Sequence, residues 1–361
     1  MAAFEILALG GDGIGPEVLA AGLAVAEAAT VGSGIQLNIK EDLLHGAAWE
    51  AYGTFCRDET LSAAQEADAV LVGAVGGPEW DDIRVPGGPE MQDGLMRLRK
   101  ELDAYAGLRP ARSWPALAAR TPFRPGLAER ADIMVLREMC GGVMFAEPRG
   151  LEQRSGRRYG FDTAAYDEHE IARIAHAGFR LARARRGRLV SADKANVMES
   201  YKLWRAVVDE VSADYPDVEL SHMYADNCAY QLARDPERFD VVLGCTLIGD
   251  FLSDLAAIVS GGLGMLPSAC LRGAPGAPAK GIYEPVHGTA PDIAGQGKAN
   301  PIGMILSVAM MFEHSFGRPD IARRIERAVE AVLSQSIATP DIGGQSTSDD
   351  VTAGVVKELA S

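Results

Sequence analysis

Asp250 and Asp254 stand four residues apart in an otherwise apolar run, Thr246-Leu-Ile-Gly-Asp250-Phe-Leu-Ser-Asp254-Leu-Ala-Ala-Ile-Val259. On a helix this spacing puts both carboxylates on one face, one turn apart, where they repel each other. Burying such charge among Leu, Ile, Ala and Val is costly unless a cation or a hydrogen-bonding partner compensates. A divalent metal compensates both at once, and an all-oxygen donor set points to Mg2+ or Mn2+ rather than zinc. For an isolated pair, a solvated helix face is the simpler reading. A second group of residues shifts the balance. Arg99, Arg109 and Arg137 lie at or near element ends, in Leu98-Arg99-Lys100, Gly107-Leu108-Arg109-Pro110 and Val135-Leu136-Arg137-Glu138. Guanidinium groups fork onto carboxylates, so several converging on one pocket would hold a dicarboxylic acid. Singly, each is an ordinary surface salt-bridge residue. Ser191-Ala-Asp193-Lys194-Ala-Asn196 and His222-Met-Tyr-Ala-Asp226-Asn227 close two expected strands, which is where α/β proteins place their sites. A lysine there is usually just solvated, but beside a metal its pKa falls and it can serve as a base.

The elements that must position these residues alternate between strand and helix. Strands are expected at Phe4–Leu9, Ala69–Val72, Asp132–Leu136, Arg188–Ser191, Glu219–Tyr224 and Asp240–Leu243. Helices are expected at Met91–Leu102, Ile171–Arg185, Ser200–Val211, Pro301–Phe316 and Pro319–Ser334. Pro16 and Glu17 open an Ala-rich helix after the first strand, with Pro at the first helical position and an acid in the first turn. Gly150–Asp162 is basic and lacks clear periodicity, suiting an extended arm or a hairpin, and Arg272–Lys280 reads as a surface loop. The glycine turn Gly11-x-Gly13-x-Gly15 follows a strand and opens a helix, yet it fails the Gly-x-Gly-x-x-Gly test because position 16 is Pro. Its backbone N–H groups can still line a cofactor pocket or a structural turn.

The chain has 361 residues, 47% hydrophobic and 24% charged, enough for two domains. With 40 glycines and 6% aromatics it suits an α/β fold, whose turns and helix–sheet contacts need small residues. A net charge of −15 argues against nucleic acid or an anionic membrane as partner, while leaving room for a small anion at a local arginine cluster. The five cysteines are scattered and never form a Cys-x-x-Cys pair, which implies a reducing, cytoplasmic setting and no zinc site. Neither a signal peptide nor a transmembrane segment is expected.

Seven segments, in order along nearly the whole chain, resemble 3-isopropylmalate dehydrogenase. They are Gly11-Asp-Gly-Ile-Gly-Pro-Glu-Val18, Glu147-Pro-Arg-Gly150, Asp193-Lys-Ala-Asn-Val197, His222-Met-Tyr-Ala-Asp-Asn227, Gly249-Asp-Phe-Leu-Ser-Asp254, Gly264-Met-Leu-Pro-Ser268 and Glu284-Pro-Val-His-Gly-Thr-Ala-Pro-Asp-Ile-Ala294. The wider group is the metal-dependent decarboxylating 2-hydroxyacid dehydrogenases. The resemblance implies a non-Rossmann α/β fold of two domains with a discontinuous first domain. Residues 1–104 plus 261–361 would bind NAD. Residues 105–260 would carry the metal and substrate site and the dimer interface, with an arm near 150–162. Asp250 and Asp254, with Asp226 from the other subunit of a homodimer, match the metal carboxylates. Lys194, also across the dimer, matches the lysine that handles the substrate hydroxyl proton. Arg99, Arg109 and Arg137 match the substrate-carboxylate clamp. His287, Gly288, Ala290, Asp292, Ile293 and Asn300 match the NAD pocket, with Asn196 and Asp341 counted alongside. A carboxylate at Asp292 accepts a bond from a ribose 2′-hydroxyl and repels a 2′-phosphate, favouring NAD over NADP.

The helix carrying Arg99 also reads the C3 substituent in this family, and here it offers Leu95 and Met96, an apolar surface suited to an alkyl group. Such a pocket discriminates one methylene by only ~1–3 kcal/mol, so the alkyl length stays open. The implied reaction oxidises the C2 hydroxyl with hydride passing to NAD⁺, releases the β-carboxylate as CO2 and protonates C3. The family places a tyrosine for the last step where this chain has Met144, in Arg137-Glu-Met-Cys-Gly-Gly-Val-Met144-Phe145, and a thioether donates no proton. Smaller departures are Thr246 for Asn, Ile248 for Phe and Gln92 for Glu. Three readings follow. The chain is a working 3-isopropylmalate-type dehydrogenase with water, Tyr159 or Tyr230 as proton source; or it acts on another 3-substituted malate or a tartrate-like acid; or it is a catalytically weak, ligand-binding regulatory paralogue. The intact metal carboxylates favour the first two.

Overall fold

The computed structural model describes residues 2–273, 276 and 278–361. Its strands are β1 (Ala2–Gly11), β2 (Ile35–Asp42), β3 (Ala69–Ala74), β4 (Ala106–Arg112), β5 (Asp132–Glu138), β6 (Gly150–Arg154), β7 (Arg157–Phe161), β8 (Arg188–Asp193), β9 (Glu219–Tyr224), β10 (Val241–Gly244), β11 (Pro267–Leu271) and β12 (Gly281–Pro285). Its helices are α1 (Gly15–Thr30), α2 (Gly46–Tyr52), α3 (Asp58–Glu66), α4 (Gly94–Glu101), α5 (Glu168–Ala184), α6 (Glu199–Ser212), α7 (Ala225–Arg234), α8 (Thr246–Ser260), α9 (Ile302–His314), α10 (Pro319–Ser334) and α11 (Ser348–Ala360).

Ten strands form one sheet in the order β2-β1-β3-β12-β11-β4-β5-β10-β8-β9. β2, β1, β3 and β12 are mutually parallel, as are β5, β10, β8 and β9. Antiparallel pairings through β11 and β4 join the two blocks. The first block draws strands from both ends of the chain, whereas the second lies wholly between Asp132 and Gly244. This is not the Rossmann order, in agreement with the failed glycine test.

Both faces of the sheet are covered, so its strands read as continuous apolar runs. β1 shows the division. Ile6 and Ala8 join the main core, while Leu7 and Leu9 point the other way into a second core with Leu44, Leu95, Leu98 and Leu102. That second core anchors α4. The helix expected over Met91–Leu102 breaks at Asp93, because its carboxylate accepts from the Met96 N–H at 2.8 Å and caps a helix starting at Gly94. Pro89–Gln92 forms a separate 3-10 turn. Gly150–Phe161 is the hairpin alternative of the expected arm, a two-stranded ribbon exposed along nearly its whole length. β4 has no counterpart among the expected strands because Pro110 lies inside it, and proline reads as a strand breaker. The loop expected over Arg272–Lys280 lies partly outside the described residues, although the Arg272 N–H still donates to the Lys280 carbonyl at 3.0 Å. Among the described residues no helix is long and apolar enough to cross a membrane, and all five cysteines are free thiols.

Candidate active site

Arg109 and Arg137 come from neighbouring antiparallel strands. Gly107 stands opposite Arg137 and Val135 opposite Arg109, so the two arginines lie diagonally on one face. Helix α8 packs over that face. Gly249 makes the approach possible, since a Cβ there would meet the Arg137 Cβ at 2.9 Å. The Asp250 carboxylate accepts from Arg109 Nη1 at 2.9 Å and also from Arg137 Nη1. Asp254, one turn on, has an oxygen 3.9 Å from the same Arg109 nitrogen, which also donates to Ser253 Oγ at 2.7 Å. Both arginines are buried, and the Nε of each lacks a hydrogen-bond partner. Burial, with Arg109 adding like-charge repulsion, pushes the Arg137 guanidinium down to about 10. Burial, reinforced by Asp250, holds the Asp254 carboxyl above the usual carboxylate range. The helix-face pair of carboxylates is therefore not isolated, although Asp254 keeps about half of its side chain, 51%, open to solvent.

Arg99 is near enough to disfavour charge on Arg137, but its own guanidinium pairs with Glu284 on β12. It sits in the last turn of α4, whose inner face is Leu95, Leu98 and Leu102. Leu95, expected to face the substrate's alkyl group, has its side chain packed in the second core. Met96 is only half-buried and shares a helix face with Arg99 at the i, i+3 spacing, so it alone of the two leaves apolar surface beside the arginine. Gln92 turns back on Val85, donating to its carbonyl at 2.8 Å and accepting from its N–H at 3.2 Å.

Met144 lies in a 3-10 turn following β5, with its sulfur 3.3 Å from Arg137 Nη2 and 3.6 Å from Thr246 Oγ1. Two residues missed in the sequence support this corner. Tyr166 accepts from the Thr246 N–H at 2.9 Å and donates to Glu138 at 3.2 Å. Glu138 is fully buried, accepts from the Cys140 and Gly141 N–H groups at 2.9 and 2.8 Å, and is pushed up to about 7 by burial. Glu138 directly follows Arg137, and Tyr166 precedes the capping box of α5, but neither has a spacing that announces a contact. Tyr159, in contrast, is on the exposed ribbon under Arg154, and Tyr230 is 60% exposed on α7.

Lys194 and Asp226 follow β8 and β9 and pair with each other, Nζ to Oδ1 at 2.5 Å. The Asp226 side chain is 70% exposed, and its bond to Lys194 holds it below the usual carboxylate range. Asn196 nearby is exposed. Among the described residues, no three His, Cys, Asp or Glu side chains of one chain are grouped to hold a metal. The expected triad of Asp226, Asp250 and Asp254 is thus not assembled within a single chain.

The glycine turn docks on the 287–293 segment. The Ile14 N–H donates to the Thr289 carbonyl at 2.8 Å, and a Cβ on Gly13 would lie 2.2 Å from that oxygen. His287 donates to the Gly288 carbonyl through Nδ1 at 2.9 Å, while its buried Nε2 has no partner, and burial lowers its pKa. A Cβ on Gly288 would meet open space, Ala290 has a left-handed φ of 37°, Asp292 is exposed and Ile293 is half-buried. Asn300 is buried, with its amide donating to Asp341 at 3.0 Å and its oxygen accepting from the Ile302 N–H at 3.0 Å. Asn300 and Asp341 therefore brace this wall rather than project from it. A separate cavity of about 610 Å³, lined by Arg112, Trp114, Met265, Met310 and His314 among others, contains none of these candidate residues.

Comparison with known proteins gives this geometry its context. The model of the isocitrate/isopropylmalate dehydrogenase family matches residues 5–358. This chain belongs to that family. It is 49% identical to 3-isopropylmalate dehydrogenase of Chromohalobacter salexigens, over 95% of this chain and 94% of that protein. It is 52% identical to 3-isopropylmalate dehydrogenase of Ruegeria pomeroyi, over 94% of this chain and 92% of the relative. Among solved structures, isocitrate dehydrogenase from Methylococcus capsulatus superposes with a TM-score of 0.87 at 32% identity, covering 99% of this chain and 100% of the other. A beta-decarboxylating dehydrogenase from Thermococcus kodakarensis gives 0.78 at 31% identity, covering 99% and 96%. 3-Isopropylmalate dehydrogenases are decarboxylating enzymes that use NAD and a divalent metal such as Mg2+ or Mn2+. The residues present fit both groups. Asp250 and Asp254 offer all-oxygen donors of the kind Mg2+ and Mn2+ take, although they make only part of a coordination set. The orphaned His287 Nε2 and the open side of Gly288 suit a dinucleotide.

Proposed function

We propose that two copies of this chain share active sites and carry out NAD-linked, metal-dependent oxidative decarboxylation of a 3-alkylmalate, most simply 3-isopropylmalate, as in leucine biosynthesis. The observation that carries this reading is the cluster in which Asp250 and Asp254 face Arg109 and Arg137. In the free chain the arginines neutralise the acids. With ligands bound, Arg109 and Arg137 turn to the substrate carboxylates, and Arg99 leaves Glu284 to join them. A divalent cation held by Asp250, Asp254 and Asp226 of a second copy would supply Lewis acidity at the C2 oxygen. Lys194 of the second copy takes the C2 hydroxyl proton. Met96 meets the C3 alkyl group, and Lys100, also on its helix face, is already paired with Glu90 at 3.0 Å. The exposed carboxylate of Asp292 selects NAD over NADP. Met144 cannot protonate C3, so we assign that proton to water held by the Thr246 hydroxyl.

The dimer is supported by what the single chain leaves exposed. Val197 (67%), Tyr230 (60%) and Phe251 (66%) are large apolar side chains at the surface, and Val197 and Tyr230 are within four residues of Lys194 or Asp226. The β6–β7 ribbon is isolated, and two strands alone are marginally stable in water. A second ribbon would complete it. We divide the chain into residues 1–104 plus 261–361 and residues 105–260, a reading supported by the antiparallel β11–β4 pairing that separates the two parallel blocks.

NADH formation measured with Mg2+ or Mn2+ on 3-isopropylmalate, other 3-alkylmalates, isocitrate, tartrate and malate tests this. The expected result is the highest kcat/KM on a 3-alkylmalate. Preference for tartrate or isocitrate would overturn the substrate assignment, and no turnover on any acid, with binding retained, would favour a regulatory role.

A further inference from the structure

His45 is buried in a backbone conformation, φ 55° and ψ −124°, that an L-residue rarely adopts. A non-glycine residue is kept there only when its surroundings over-determine it, and such positions cluster where geometry matters to function. The surroundings of His45 meet that condition. Its Nδ1 lies 3.0 Å from Asp12 Oδ2, and Asp12 also accepts from the Gly46, Ala47 and Gly76 N–H groups at 3.2, 2.8 and 2.9 Å. Its ring packs against Phe55 and meets Trp80 edge-on, with centroids 4.9 and 5.9 Å away. Its Nε2 faces Asp93 Oδ2 at 3.7 Å.

These partners lie on two different parts of the site. Asp12 belongs to the glycine turn, which docks through Gly13 and Ile14 on Thr289 in the dinucleotide segment. Asp93 caps the helix bearing Met96 and Arg99. The backbone contact is equally direct, because a Cβ on Gly94 would lie 3.1 Å from the His45 nitrogen and 2.4 Å from the Phe55 carbonyl. The first turn of α4 is therefore seated on His45. We propose that His45 is a positioning residue that ties the glycine turn at Asp12 to the N-terminus of α4, so that the dinucleotide wall and the C3-substituent face are set as one unit. The inference rests on the functional reading above for its substrate, but not for the linkage itself.

His45→Gly tests it, because glycine accepts this backbone conformation without strain. The expected outcome is a KM for the preferred 3-alkylmalate raised about tenfold, NAD⁺ affinity weakened by a similar factor, and amide hydrogen exchange across Gly94–Leu98 accelerated more than in the rest of the chain. His45→Asn keeps an N–H for Asp12 but lacks the ring edge facing Asp93. It should restore NAD⁺ affinity, measured by calorimetry, while the 3-alkylmalate KM stays raised. A purely structural role would lower Tm alone, leaving KM and NAD⁺ affinity unchanged and speeding exchange no more in α4 than in the rest of the chain. Unchanged exchange in α4 together with unchanged NAD⁺ affinity in His45→Gly overturns the proposal even if the wild-type chain turns over none of the acids. Wild-type inactivity with altered exchange instead refutes only the substrate reading.

Discussion

The two acidic groups of the candidate site are built in opposite ways. Asp250 lies against two buried arginines that neutralise it, on a helix pressed onto the sheet through Gly249, with Asp254 half-exposed one turn on. Lys194 and Asp226 form a lone pair at the surface, flanked by apolar side chains that one chain leaves uncovered. An exposed pair of this kind contributes little to stability, so its geometry is not there to hold the fold. The contrast teaches which half of the chemistry the single chain completes. On the proposed function, the arginine and carboxylate cluster is assembled within one chain, while Lys194 and Asp226 would serve a second copy.

The largest effects should come from breaking each half separately. Asp250→Asn removes the acid that both arginines share and should cut kcat/KM by roughly 10²–10³-fold, the scale of losing one preorganised electrostatic group. Lys194→Met should be at least as damaging. Mixed after denaturation and refolding, the two inactive variants should regain about a quarter of wild-type activity, since half of random dimers are heterodimers and each holds one intact site. No recovery on mixing would place Lys194 and Asp250 of the same chain in one site and dissolve the contrast.

Much of the interior half was legible in sequence because period and spacing announced it. The i, i+4 acids of α8 and the strand end bearing Arg137 can be read from local pattern, as can the strand end bearing Lys194 in the exposed half. What the sequence hid was set by contacts between distant segments. Leu95 and Met96 are adjacent and both apolar, and only packing on Leu44 and Leu98 decides that the first is core and the second is free. β4 escaped because Pro110 looks like a breaker, though an antiparallel strand between β5 and β11 tolerates it. The Glu138–Tyr166–Thr246 chain joins residues 28 and 80 positions apart, and no periodicity marks such pairs. His45 carries no sequence signal at all, because its importance lies in a backbone angle.

Met144 sharpens the comparison from inside the buried half. Its sulfur occupies contacts with Arg137 and Thr246 where the family presents a phenol. Met144→Tyr should raise the decarboxylating kcat about tenfold if water now delivers the C3 proton, less than the 10²–10⁴-fold a fully positioned acid supplies, because the pocket has adjusted to a thioether. Burst kinetics of NADH formation separate oxidation from the later proton transfer. A fall in kcat with the burst unchanged would show that the pocket is shaped around methionine and that a tyrosine there slows a step after oxidation.

The smallest effect is on stability, and it reports what the buried half costs. Burial raises the Glu138 carboxyl from an ordinary value of 4.5 to about 7 in the fold. Below pH 4.5 the group is neutral in both folded and unfolded chains and imposes no penalty. As pH rises to 7 the unfolded chain ionises freely while the folded one resists, so the stability contributed by the neutral form is lost across that window and stays lost above it. A shift of this size corresponds to ~3 kcal/mol. Glu138→Gln removes the titration at a constant cost from the hydrogen bonds to Cys140 and Gly141, so the difference in unfolding free energy between variant and wild type should narrow by ~2–3 kcal/mol from pH 4.5 to pH 8. Urea unfolding at a series of pH values measures it. The exposed pair offers the control: Asp226→Asn should leave the pH dependence between 5 and 8 unchanged, because Lys194 holds that carboxyl below the usual range and it is fully ionised throughout. A pH slope that follows Asp226 rather than Glu138 would invert the assignment of which half of the site is built at the expense of the fold.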